Sequence, residues 1–233
     1  MQTVTINQRF CGPPNSGNGG YSAGLLAKNI IGPSQVRLFS PPPLGTPLAL
    51  SQSDNQWQLK HRDVLVGTAV PATLELDVPP APTMEQAIAG RNAYSADLER
   101  NFNTCFVCGP SPIKGDGLRL FSGPVEGRAL MACDWRPDPG LMTADGNLAA
   151  EFIWSALDCP GFFSLGLPED KISLLAQMTC SIDKLVPGDQ PLIIFAWKRG
   201  IDGRKGYSAA ALANTKGEIL ARAEHLWIQL KQA

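Results

Sequence analysis

Two acidic residues interrupt a long apolar segment, and both could take part in acid–base chemistry. Glu151 lies within residues 148–157, a segment that is otherwise almost wholly apolar, and Asp158 follows at its end. A segment that is apolar on nearly all faces predicts a buried helix. A carboxyl group buried there must be paired, protonated or functional. We take Glu151 as the first catalytic candidate and Asp158 as the second. The alternative is that Glu151 faces solvent or a cation and that Asp158 caps the turn at 159–161.

A helix start marked by glycine occurs twice in the chain. Asn18-Gly19-Gly20 precedes the largely apolar segment 21–27, and Asp145-Gly146-Asn147 precedes 148–157. The first amides of a helix lack partners within the helix and favour negative charge. Glycine lets the backbone approach another group closely. These residues are candidates for binding a substrate, and the alternative is an ordinary turn before a helix.

Cys105 and Cys108 form the pattern C-x-x-C, which can be half of a zinc knuckle or a redox pair. A structural zinc site needs four ligands, and the sequence has no second C-x-x-C and no histidine near the first. A redox pair usually opens a helix, whereas residues 109–112 read GPSP. We therefore predict neither a metal nor a redox role. Six cysteines in 233 residues also do not indicate a disulfide scaffold.

Composition and charge exclude several classes of partner. The formal net charge is −1 and 44% of residues are hydrophobic, which predicts a packed core and no binding of nucleic acid. No apolar run approaches the ~20 residues of a membrane span. Residues 1–10 lack the pattern of a signal peptide, so we expect a cytoplasmic location. G-x-S-x-G is absent and only two histidines occur, which disfavours a serine hydrolase.

The chain divides around a proline-rich connector. Prolines at 79, 80 and 82 cannot lie in a central strand. Thr83 and Gln86 have the spacing of a capping box, which predicts a short helix running through Ala87 to about Arg91. On either side the same order recurs: a helix, a strand, a Pro/Gly turn and further strands. We predict an internal duplication of α+β class, with halves 1–78 and 105–233 and a connector at 79–104.

This order of elements, together with several short segments, resembles the hotdog fold of acyl-CoA thioesterase-like proteins in its tandem, double-hotdog form. The segments that carry the resemblance are 14–20 (PNSGNGG), 105–109 (CFVCG), 117–120 (GLRL), 156–161 (ALDCPG), 186–188 (VPG), 203–205 (GRK), 217–223 (GEILARA) and 227–228 (WI). The resemblance covers most of the chain and is stronger in the second half. It implies two antiparallel sheets, each wrapping a central helix.

The resemblance also implies the parts of a site. In hotdog thioesterases the backbone amides at the start of the central helix bind the thioester carbonyl, a role that falls here to Asn18, Gly19 and Gly20. A carboxylate on the partner unit's helix acts as base or nucleophile. The first helix has no acid in the relevant turn. The implied site is therefore composite and combines the first half's glycines with Glu151 or Asp158.

The implied function is hydrolysis of an acyl-CoA in a tunnel between the halves, without a cofactor or a metal. The phosphates of coenzyme A would lie on the surface against Arg204 and Lys205, beside the hairpin at 200–203, unless these side chains form an ordinary charged turn. A second copy of the chain is an expected partner, because exposed sheet edges commonly associate.

One departure from the resemblance keeps other functions open. Many such thioesterases carry a histidine where Asn18 stands, which favours a binding protein that holds acyl-CoA without hydrolysing it. A structural or interaction protein would instead fill the tunnel with side chains. Hotdog dehydratases need a histidine with an acid, and His61 and His225 both lie in strand-like segments far from the helix starts. We therefore do not expect a dehydratase.

Overall fold

Helices and antiparallel strands make up most of the chain. A computed structural model describes residues 2–95, 102–168 and 172–230. Over these residues the α-helices are α1 (Gly19–Ala27), α2 (Met84–Asn92) and α3 (Ala150–Phe163). The strands are β1 (Gln2–Thr5), β2 (Ser34–Leu38), β3 (Pro47–Ser53), β4 (Gln56–His61), β5 (Val64–Pro71), β6 (Gly123–Pro124), β7 (Met131–Trp135), β8 (Ser173–Ile182), β9 (Leu192–Asp202), β10 (Lys205–Asn214) and β11 (Ile219–Gln229).

All eleven strands belong to one antiparallel sheet, with the order β1-β3-β4-β5-β2-β8-β11-β10-β9-β7-β6. The two halves meet where β2 pairs with β8, with Val36 opposite Met178. The sequence predicts two antiparallel sheets joined edge to edge, and the structure has one continuous sheet in which β2 and β8 form the junction. An edge strand exposes unpaired N–H and C=O groups, and the pairing of β2 with β8 satisfies both inner edges.

The strand order is mirrored about the junction between β2 and β8. Reading outward, the first half runs β2, β5, β4, β3, β1 and the second runs β8, β11, β10, β9, β7, with β6 as an additional outermost strand. In each half a helix directly precedes the four inner strands, since α1 precedes β2–β5 and α3 precedes β8–β11. This symmetry supports our proposal of duplicated halves at 1–78 and 105–233. Met1 and residues 231–233, at the ends of those halves, lie outside the described residues.

Helices α1 and α3 lie against each other and against the sheet. Asn18 caps α1, because its Oδ1 accepts a hydrogen bond from the Tyr21 N–H at 2.9 Å. Leu26 of α1 and Leu157 of α3 are fully buried in one core, as the apolar segments predict. Over the described residues, the structure contains no helix that is both long enough and apolar enough to cross a membrane.

Two glycines one turn apart on α1 let the helices approach closely. A Cβ atom at Gly20 would lie 2.7 Å from the Trp154 carbonyl oxygen, and one at Gly24 would lie 2.6 Å from the Glu151 Cα atom. Contacts this short leave no room for a side chain. The contacts also fix direction: along α1 from Gly20 to Gly24, the contacts on α3 run backward from Asp158 to Glu151. The two helices are therefore antiparallel.

The connector contains the predicted short helix. Thr83 and Gln86 form both hydrogen bonds of a capping box at the start of α2. The close approach of Gly90 to the Ala132 carbonyl packs α2 against β7. Residues 96–101 of the predicted connector lie outside the described residues. The predicted hairpin around 200–203 is also present, and Gly203 adopts a positive φ of 55° in the turn between β9 and β10.

A buried histidine lies under the end of α3 and predicts a pH-dependent stability. His225 on β11 is 3% exposed, its Nδ1 is 3.2 Å from Ser208 Oγ, and Gly161 of α3 covers the ring. Burial lowers the pKa of His225 from 6.5 to about 4. Between these two pH values His225 is protonated in the unfolded chain but stays neutral in the folded chain. The free energy of unfolding therefore decreases as the pH falls through this range.

We expect the stability advantage of the wild type over His225→Gln to shrink by roughly 3 kcal/mol between pH 6.5 and pH 4. The difference between the two proteins removes the effects of all other groups, including Asp158. The measurement is urea unfolding of both proteins at several pH values across this range. A difference that is constant with pH would show that His225 is not buried in its neutral form.

Candidate active site

A cavity of about 600 Å³ opens where the two halves meet. Its lining is mainly apolar and includes Phe39, Phe162, Leu175 and Trp227. The wall comes from the loop before α1 and its first residue, the end of β2 and the loop after it, and residues 102, 105 and 108. The end of α3, the start of β8 and the end of β11 complete it. The open volume argues against a protein whose interior is filled by large side chains, which was one alternative from the sequence.

Asp158 lies in this cavity at the N-terminus of α1. It is 3% exposed, and its Oδ2 accepts hydrogen bonds from the Gly20 N–H at 2.9 Å and from Asn18 Nδ2 at 3.0 Å. Its Oδ1 is buried without a partner among the described residues. Burial raises the pKa of Asp158 to about 7, against the lowering effect of the Gly20 N–H. The carboxyl group can therefore take up or release a proton near neutral pH.

Asn18 is held at both ends of its amide group. Its Oδ1 accepts from the Tyr21 N–H, and its Nδ2 donates to Asp158. Because one neighbour is a donor and the other an acceptor, only one orientation of the amide satisfies both. Asn18 thus joins the start of α1 in the first half to Asp158 of the second half. The helix start of the first half and one candidate acid of the second half are therefore in contact.

Gly19 and Gly20 occupy different positions relative to the cavity. Gly19 lines the cavity, and its N–H has no acceptor among the described residues. Gly20 faces α3, and its N–H is already bonded to Asp158. The amide that is free to bind a ligand oxygen at this helix start is therefore that of Gly19. A free amide at a helix N-terminus is suited to a carbonyl oxygen that gains negative charge.

Glu151 lies two helical turns before Asp158 and outside the cavity. Its side chain is 14% exposed, and Oε1 is 3.9 Å from Lys28 Nζ. Lys28 follows the last residue of α1, so Glu151 meets the opposite end of that helix from the cavity. Of the two acids that the sequence left open, the structure brings Asp158 to the glycines.

The other predicted binding residues lie outside the lining. Asn147 precedes α3, and its N–H donates to Asp145 Oδ1 at 3.2 Å. Arg204 and Lys205 lie at the turn between β9 and β10, where Arg204 Nη1 donates to the Gln229 carbonyl. The strand register places Lys205 opposite Ile228. Ile228 lines the cavity, so Lys205 lies beside a residue of the cavity wall without belonging to the lining itself.

Three cysteines that the sequence analysis did not connect meet in the cavity wall. Cys105 and Cys108 lie in the loop after the connector, and Cys159 follows Asp158 in α3. The Cys105 and Cys159 sulfur atoms are 3.8 Å apart. The sequence showed only the C-x-x-C pair, because Cys159 lies more than fifty residues away along the chain. The only feature of the sequence that pointed to Cys159 is its position directly after the candidate catalytic residue Asp158.

The comparisons with known proteins concern structure alone. No family model matches the chain, and the search of curated proteins likewise gives no match. Acyl-CoA thioesterase II TesB2 from Mycobacterium marinum superposes with a TM-score of 0.62 at 10% identity, covering 99% of this chain and 93% of that one. The tesB protein of Mycobacterium avium subs paratuberculosis gives 0.61 at 14% identity, covering 98% and 92%.

A third solved structure is named for its fold. A conserved protein of unknown function with a hot dog fold, from Alicyclobacillus acidocaldarius, gives a TM-score of 0.60 at 12% identity. The superposition covers 99% of this chain and 93% of that one. At such identities the likeness concerns architecture. The chain therefore has the hotdog fold of the thioesterase II structures over nearly its whole length.

Proposed function

We propose that the chain hydrolyses an acyl-CoA thioester, with the acyl group in the cavity and Asp158 as the general base. The observation that carries this proposal is the Asp158 carboxylate, buried in an apolar cavity and held at the N-terminus of α1 by the Gly20 N–H. A buried carboxyl group without a compensating cation is costly to maintain. Such groups are concentrated at functional sites. The name of one structural neighbour, acyl-CoA thioesterase II, agrees with this reaction.

Each proposed step uses a group in the cavity. Asp158 takes a proton from water while the water oxygen attacks the thioester carbonyl carbon. The carbonyl oxygen gains negative charge, which the Gly19 N–H and the positive end of α1 stabilise. The carbon–sulfur bond then breaks, and the leaving thiolate receives the proton from Asp158. The products are a free carboxylic acid and the thiol of coenzyme A.

The apolar wall defines the substrate class that we propose. An acyl chain would pack against Phe162 and Leu175, and burying its methylene groups would contribute about 0.8 kcal/mol each. The coenzyme A portion would leave by the rim, where Arg204 and Lys205 stand beside Ile228. Pairing with a second copy and a cytoplasmic location stay predictions from the sequence.

A second candidate function is acyl-CoA binding without turnover. It is favoured by the bonds to Asp158, because Oδ2 already accepts two hydrogen bonds and only Oδ1 is free to take a proton from water. Among the described residues that line the cavity there is also no histidine. The two functions differ only in turnover, and one experiment separates them.

We expect the purified protein to cleave at least one member of a panel of acyl-CoAs, short to long and including aryl groups, with saturable kinetics. The loss of thioester absorbance should be followed rather than a thiol reagent, because such a reagent would also react with the cavity cysteines. Acyl-CoA that raises the melting temperature without being cleaved would instead establish the binding protein. Neither cleavage nor stabilisation would refute both functions.

A further inference from the structure

The three cavity cysteines form a compact cluster of sulfur atoms. The Sγ atoms of Cys105, Cys108 and Cys159 all lie within 4.8 Å of one another. A zinc ion with tetrahedral bonds to sulfur of about 2.3 Å sets its ligand sulfurs about 3.8 Å apart. The separation between Cys105 and Cys159 is 3.8 Å. No ligand would need to move far to bind one ion.

The loop that carries the first two cysteines is tightly constrained. The Gly109 N–H donates to the Cys105 carbonyl at 2.8 Å and closes the turn. A Cβ atom at Gly109 would lie 2.4 Å from the Asn103 carbonyl oxygen and 2.5 Å from the Cys105 nitrogen. Only glycine fits a turn of this closeness. The turn directs both sulfur atoms towards the end of α3, where Cys159 completes the group.

The surroundings of the cluster donate hydrogen bonds to one of its sulfur atoms. The Cys108 and Cys159 side chains, with the backbone N–H groups of Cys108 and Val107, donate to Cys105 and hold its pKa well below the usual range. The side-chain hydrogen bonds to Cys105, together with burial, hold the pKa of Cys108 and of Cys159 well above theirs. Asn18 Nδ2 also lies 4.0 Å from Cys105 Sγ and 3.9 Å from Cys159 Sγ. The thiolate is the form that binds metal ions.

Among the described residues that line the cavity, the cluster has no positively charged neighbour. Among the described lining residues there is no lysine and no arginine. Adjacent thiolates repel one another unless a cation lies between them. Thiolates are soft ligands and bind zinc in preference to magnesium and calcium. The latter two are hard cations that prefer oxygen ligands.

We propose that Cys105, Cys108 and Cys159 bind one zinc ion whose fourth coordination position opens into the cavity. All three ligands belong to the cavity wall, so a ligand entering the cavity can reach the ion. An ion here would link the 105–108 loop to α3. It would lie close to Asp158, which directly precedes the ligand Cys159 and shares the neighbour Asn18 with Cys105. A zinc site with three protein ligands and one open position is the type found in catalysis. The proposal concerns binding and stands whether or not the protein hydrolyses a thioester.

The test is metal binding by the full-length protein, purified under reducing conditions and freed of metal. We expect about one zinc ion per chain by elemental analysis after zinc is returned. We also expect cobalt(II) to give the intense visible and near-ultraviolet absorption of a tetrahedral thiolate complex. In Cys159→Ala and Cys108→Ser the zinc affinity should fall by about 100-fold or more, and zinc should no longer raise the melting temperature. Cys180→Ala removes a buried cysteine of β8 outside the cluster and should bind zinc as the wild type does.

Two results would overturn the zinc site. One is the absence of stoichiometric zinc and of the cobalt absorption in wild-type protein whose thiols are shown to be reduced. The other is unchanged zinc affinity in Cys159→Ala and Cys108→Ser, provided that circular dichroism shows both variants to be folded. Neither readout uses thioester cleavage, so failure of the zinc site and failure of the proposed hydrolysis are separate outcomes.

Discussion

Asp158→Asn is expected to lower kcat for acyl-CoA hydrolysis by about a thousandfold while the protein keeps its stability and its affinity for substrate. In the variant, the Asn oxygen can take the place of Oδ2 and accept the same bonds from Gly20 and Asn18. Its amide group then occupies the place of Oδ1, which has no partner among the described residues. Only the capacity to accept a proton is lost. We expect the melting temperature to be equal or higher, because a costly buried carboxyl group is gone.

Glu151→Gln is the matched control for that experiment. It makes the same chemical change on the same helix, but Glu151 faces Lys28 outside the cavity. We expect kcat within about twofold of the wild type and little change in stability, since a partly exposed pair contributes about 1 kcal/mol or less. Full activity in Asp158→Asn, or loss of activity confined to Glu151→Gln, would refute the assignment of the base.

Gly20→Val is expected to reduce the free energy of unfolding by about 4 kcal/mol or prevent folding. A Cβ atom at this position would lie 2.6 Å from Asp158 Cβ and 2.7 Å from the Trp154 carbonyl oxygen. Neither neighbour can yield, because both are fixed to the backbone of α3. Valine adds two further methyl groups to the clash. Circular dichroism and urea unfolding measure the loss, and a Gly20→Val variant of wild-type stability would mean that α1 and α3 do not pack as described.

Gly19→Val is the control that separates packing from binding. A Cβ atom there would lie 3.0 Å from Leu175 Cδ2, 3.1 Å from Leu175 Cβ and 3.5 Å from Asp158 Oδ2. These contacts are looser than those at Gly20, and Gly19 and Leu175 both line the cavity. We expect this variant to fold but to bind acyl-CoA at least about tenfold more weakly, because its side chain covers the free amide. The resemblance gave Gly19 and Gly20 the same role in binding the thioester carbonyl. The contacts of the two glycines differ, so we expect an effect on binding at Gly19 and an effect on stability at Gly20.

The sequence predicts the parts of the site but not how they meet. The Asn18-Gly19-Gly20 helix start and the two acids are visible as local patterns. Glu151 and Asp158 are seven residues apart, so both lie on the face of α3 that contacts α1. Which of them meets the start of α1 depends on whether the helices run parallel or antiparallel. That direction is a tertiary property, and no local pattern encodes it.

Other features depend on contacts that are distant in sequence. The pairing of β2 with β8 joins strands about 140 residues apart, through five residues of β2 that show nothing unusual. The cysteine cluster likewise needs Cys159 to approach a loop more than fifty residues away. By contrast, the capping box at Thr83 and the hairpin around Gly203 depend on neighbouring residues. Both are present as the sequence predicts.

The mirrored strand order has a consequence for the number of sites. Two separate copies of one half would carry two identical sites, and every substitution would change both. Here Ala27 on α1 and Asp158 on α3 each stand eight residues after their helix's first residue (19 to 27, 150 to 158). Only one of these matched positions carries an acid, and the start of α3 lacks the side-chain cap that Asn18 gives α1. Because the halves are joined in one chain, a substitution can change one site without changing the matching position in the other half. That position can then keep a role in packing alone.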